Sequence, residues 1–83
     1  MQVIHANLLF IIKRFQKHKE IIRRLYSESE NFQEMCNDYQ KCDRALMHWR
    51  QSHSEDAPER RNEYAALMQE LEAEILQTLK EAE

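Results

Sequence analysis

Apolar residues between positions 32 and 49 recur at alternating intervals of three and four: Phe32, Met35, Tyr39, Cys42, Leu46 and Trp49. That spacing gathers all six on one face of a helix with about 3.6 residues per turn, and scatters them over both faces of a strand. A second seam follows in Tyr64, Met68, Leu71 and Ile75, with Leu67 and Leu79 beside it. The polar stretch Ser52, His53, Ser54, Glu55 and Asp56 separates the two. Two apolar stripes joined by a short connection cover each other by folding back, so the pattern predicts an antiparallel, coiled-coil-like hairpin of helices over 30–51 and 57–79.

Glycine is absent and Pro58 is the single proline. Tight β-hairpins and phosphate-cradling loops both need glycine, for positive φ or for close approach of a ligand. The expectation is therefore an all-α fold without a nucleotide-binding fingerprint. With 83 residues, 42% hydrophobic and 33% charged, the chain reads as one small globular domain over 1–83. A domain of this size buries only about 60% of its unfolded surface, so self-association is expected to supplement its core.

A first amphipathic helix is predicted over 3–26, with Ile4, Leu8, Ile11, Phe15, Ile22 and Leu25 on one stripe and His18 as its polar interruption. Leu9, Phe10, Ile12 and Ile21 widen its apolar face beyond a coiled-coil seam. Such a helix completes a three-helix bundle or exchanges between chains in a dimer. It does not read as a secretory signal, because Lys13 and Arg14 follow the apolar run instead of preceding it, and the run is far short of the roughly 20 residues that cross a bilayer.

The cluster Ser27, Glu28, Ser29, Glu30, Asn31 ends this helix. Short polar side chains favour caps, so Ser27 or Ser29 starts the next helix, Ser27 with Glu30 fits a capping box, and a kink in a nearly continuous helix is the alternative. Asp56 is the expected N-cap of the last helix, with Pro58 in its first turn and Glu59 reciprocating.

Charge is divided along the chain. Residues 1–24 hold six Lys and Arg against one Glu, a formal +5, and residues 25–83 hold six against fourteen acidic side chains, a formal −8; together they make the chain's −3. A basic apolar helix followed by an acidic hairpin suggests that the first docks on the second, in its own chain or a neighbour. A solvated polar face is the plain alternative.

Ile22, Arg23, Arg24 and Leu25, then Phe32 with Met35, Asp38, Tyr39, Cys42 and Asp43, then Leu71, Glu72, Ala73, Glu74, Ile75 and Leu79, resemble the YdcH-like family of small bacterial helical-hairpin proteins. The resemblance covers about 21–79. It departs from the family in the stretch 64–70, which lacks the lysines usual there, and does not reach the apolar first 20 residues. It implies a cytoplasmic hairpin that associates, and carries over neither an enzyme activity nor site residues.

Few residues suggest chemistry. His5, His18, His48, His53, Cys36 and Cys42 are the available metal ligands, yet no two stand three or four apart, the spacing that lets one helix present two ligands; no metal or cofactor is expected. Cys36 and Cys42 lie about 120° apart around one helix, which predicts two reduced, buried thiols in a cytoplasmic protein. Glu70 and Glu74, one turn apart, read as a solvated face, and Trp49 and Tyr64 as a packed pair beside the hairpin turn. So short a helical chain offers little concavity for catalysis, and no enzyme is expected.

The function these features favour is a non-enzymatic helical protein–protein interaction module. Its expected partner is a second copy, a dimer being favoured, or a larger protein. Leu8, Ile11, Phe15 and Ile22 are the candidate assembly residues, and Phe32, Tyr39, Leu46, Leu71 and Ile75 the hairpin core. The alternative is a small nucleic-acid-associated or regulatory protein whose Lys13, Lys17 and Arg24 share one side of the basic helix. An anionic membrane surface is a further partner for that helix, less favoured because the fold needs the same apolar face.

Overall fold

The protein is described by a computed structural model over residues 6–83. Among these, four α-helices and no strand are present: α1 (Ala6–Arg14), α2 (Lys19–Glu28), α3 (Glu30–Gln51) and α4 (Ala57–Glu81), with a single 3-10 turn at Gln16–His18. Ile4, His5 and the expected helix start at 3 lie outside the described residues. The fold is all-α, and the antiparallel pair α3 and α4 is its main packing unit.

The two seams meet as their spacing requires. Phe32, Cys36, Tyr39, Cys42 and Leu46 of α3 are buried against Met68, Ile75 and Leu79 of α4. Fully burying an aliphatic or aromatic side chain contributes about 1.5–3 kcal/mol, so this apolar column dominates the stability of the hairpin.

The first helix departs from the expectation. Instead of one helix over 3–26, the chain turns a corner: Phe15 (φ −125°, ψ 54°) and His18 (φ −116°, ψ 24°) leave helical geometry, and the His18 N–H bonds Phe15 O at 2.9 Å. No glycine or proline causes this. Residues 16–20, Gln-Lys-His-Lys-Glu, are all polar, so the middle of a straight helix would gain nothing by lying on the core. Bending there lets the apolar residues on both sides reach α3, and Ile11 in α1 and Ile22 in α2 both fall to 0% exposure. Tertiary burial overrides local propensity at this point.

Asn7 with Asn37, Phe10 with Tyr39 and Arg14 with Asp43 pair in rising order, so α1 runs in the same sense as α3. The end of α2 instead reaches the end of α4, where Arg24 Nη2 donates to Ala82 O at 2.7 Å.

Ser29 alone separates α2 from α3. Its backbone is extended (φ −125°, ψ 114°) and its Oγ accepts from the Phe32 N–H at 3.1 Å, so of the two serines considered Ser29 is the N-cap. The Ser27 hydroxyl donates back to Arg24 O at 2.8 Å, which excludes the Ser27–Glu30 capping box. Before α4 the expected capping box is also replaced. Asp56 is already helical (φ −78°, ψ −13°) and its carboxylate caps nothing, whereas Ser52 Oγ and Ser54 Oγ accept from the N–H groups of Ser54 and Asp56 at 3.1 and 3.3 Å. The serines build the turn before the aspartate is reached.

Candidate interaction surfaces

Tyr39 is the centre of the face that α1 covers. Its side chain has 0% exposure, with the Phe10 and Phe15 rings 5.6 and 5.9 Å away, both tilted against it. The phenol donates to Glu72 Oε1 at 2.6 Å. Burial, and after it the Glu72 carboxylate, raise the Tyr39 hydroxyl above the ordinary phenol range, so it is held neutral as a donor. Beside it Arg14 lies 5.3 Å over the Phe10 ring and bonds Asp43 Oδ1 at 3.1 Å. Arg14, Asp43, Arg50 and Glu72 rim a cleft of about 290 Å³. With Arg14 paired to Asp43 and Glu72 engaged by a protonated phenol, the cleft ties α1 to the hairpin and holds no activated nucleophile.

The cysteines fit the same account. Cys36 is fully buried and burial pushes its thiol up to about 12. Cys42 is raised by burial and then by the neighbouring Asp43 carboxylate, and its thiol donates to Tyr64 O at 3.5 Å. Both are free thiols held away from the reactive thiolate. Among the described residues no three His, Cys, Asp or Glu side chains come together as a metal ligand set, and no helix is long and apolar enough to cross a membrane.

At the corner, Lys13 and Lys17 line one open cleft of about 390 Å³ with Phe15 and Leu76 on its floor. Arg24 stands apart from them, committed to Ala82 at the end of α4. The bend therefore joins two of the three cations that a straight helix would have aligned and removes the third. His18 Nδ1 lies 3.6 Å from Glu83 Oε1.

On the opposite flank of the hairpin, neither α1 nor α2 covers the groove of about 370 Å³ between α3 and α4. Cys42, Ala45, Tyr64, Leu67 and Leu71 line it, with Asp38 and Lys41 at its rim. Leu67 is 40% exposed there, and Leu9 on α1 and Met47 on α3 are 46% and 50% exposed. Tyr64 thus belongs to the groove, while the aromatic partner of Trp49 is His48, edge-on at 5.1 Å.

The candidate residues divide accordingly. Ile11 and Ile22 are fully buried within the chain, and Leu8 and Phe15 pack half-buried on the same core, so these four hold α1 and α2 to their own hairpin. Phe32, Tyr39, Leu46 and Ile75 are core, whereas Leu71 is half-buried at the groove. The Glu72 partner of Tyr39 and the groove itself were not singled out by sequence; helical spacing marks Leu67 beside the seam but cannot say that α1 and α2 leave it open. Against family models, curated proteins and solved structures the chain finds no match, so its resemblance to YdcH-like proteins rests on the residues quoted for it.

Proposed function

We propose that the protein is a non-enzymatic helical protein–protein interaction module that associates with itself, in the manner the YdcH-like resemblance implies. The observation that carries this reading is the α3–α4 groove, which no other described residue covers and whose Leu67, Leu71 and Tyr64 are apolar side chains left in reach of solvent on a chain too small to spare them. Covering such a patch removes apolar area from water, the general driving force of association.

Sedimentation velocity from micromolar to submillimolar concentration tests the reading. A weight-average mass that rises with concentration is the expected result, and a single monomeric species throughout overturns it.

Nucleic-acid binding is the second reading, favoured by the shared cleft of Lys13 and Lys17. A duplex or RNA oligonucleotide bound at low salt and released steeply as salt rises would support it. Absence of binding at low salt removes it.

A further inference from the structure

We infer that copies of this chain associate head to tail, the outer face of α1 in one copy seating in the α3–α4 groove of the next. This rests on the self-association proposed above and assigns it two different surfaces.

The two surfaces lie on different flanks of α3. α1 meets α3 at Asn37, Tyr39 and Asp43, whereas the groove opens beside Asp38, Lys41 and Ala45. A molecule therefore presents both at once. Each has an exposed leucine at its centre, Leu9 at 46% and Leu67 at 40%.

Charge selects the pairing. One helical turn beyond Leu9 stands exposed Lys13, followed at the corner by exposed Lys17 and Lys19. The groove is bordered by exposed Asp38 on α3 and by exposed Glu70 and Glu74, each three residues beyond Leu67 or Leu71 on α4; of the basic side chains on this flank, Lys41 stands at the rim and Arg60, one turn before Tyr64, is already paired with Glu63. Groove against groove in a two-fold dimer would bring together two surfaces that are both net acidic, and α1 against α1 two that are both basic. Only α1 in the groove brings the lysines to the carboxylates while covering both leucines. Such a contact uses unlike surfaces, so each copy added leaves one of each free, and growth continues until a ring closes or a filament forms.

Two single-surface variants test this. Leu9→Glu spoils the α1 face and Leu67→Glu spoils the groove; both positions are solvent-exposed, and circular dichroism melts establish that each variant remains folded. Each alone should lose association by about thirtyfold or more in Kd, the scale of a central interface residue. Mixed one to one, they still possess one intact α1 face and one intact groove, and should form a dimer that grows no further. If Leu9→Glu loosens α1, Lys13→Glu takes its place in the mixture and decides.

Two outcomes overturn the inference while leaving self-association standing: either variant alone associates like the parent, or the mixture of two monomeric variants fails to dimerise. A monomeric parent chain overturns both.

Discussion

The Tyr39 hydroxyl reaches Glu72 Oε1 at 2.6 Å across the α3–α4 seam, beneath Phe10 of α1 and Phe15 at the corner that follows it. A hydrogen bond from a buried phenol to a carboxylate is charge-assisted and gives the hairpin a fixed register that apolar packing alone would leave to shape.

Tyr39→Phe should therefore lower unfolding stability by about 1–2 kcal/mol in urea denaturation at neutral pH. The alkaline side gives a second readout. Tyr39 has a folded-state value raised first by burial and then by Glu72, so its contribution is intact below about pH 10 and is lost as pH rises beyond that through the raised value. The loss of stability above pH 10 should be smaller in Tyr39→Phe; parallel pH profiles for the two proteins would refute the assignment.

Ile75 and Leu71 separate core from groove. Ile75→Ala empties a site with 0% exposure and should cost about 2–5 kcal/mol, enough to unfold much of a marginal domain. Leu71, half-buried at the groove, should cost visibly less on truncation to Ala. Thermal melts rank them; the reverse order would place the seam on the wrong residues.

The caps differ in the same testable way. Ser29→Ala removes the oxygen that accepts from Phe32 and should cost about 1 kcal/mol. Asp56→Ala removes a side chain that caps nothing, and should cost less than about 0.5 kcal/mol through the helix dipole alone. Equal costs would return Asp56 to the capping role suggested by sequence.

Cys36 should be nearly inert in the folded protein. With its thiol pushed up to about 12 by burial, reaction with a disulfide reagent at pH 8 should run at least about a hundredfold slower than in urea, at a rate set by opening of the structure. Fast reaction in native buffer would contradict its burial.

How much of this was legible in the sequence follows from how local each cause is. The three–four spacing of Phe32 to Trp49 reports a helix face directly, and the hairpin follows because two such faces and a short polar link leave one economical arrangement. The corner at Phe15 and His18 has no such signal. It is selected by what Ile11 and Ile22 each touch on α3, and nothing nearby in the chain, no glycine or proline, announces it. Glu72 lies 33 residues from the tyrosine it accepts from, so no spacing rule finds the pair. At Asp56 the local rule found the helix boundary and the proline of its first turn but not the bond, since two upstream serines had already turned the chain. Leu71 reads as core by period and becomes half-exposed because the helices that could have covered it went to the other flank.

That one-sided coverage also orders the events of unfolding. α3 and α4 bury residues against each other along most of their lengths, whereas nine-residue α1 is held by Ile11 as its single fully buried side chain and by partners about 30 residues away. Opening α1 would cost less than opening the hairpin, so its amides should exchange with solvent through a partial excursion that leaves α3 and α4 protected. α1 then behaves as a detachable cooperative unit, able to leave Tyr39 bare without melting the molecule.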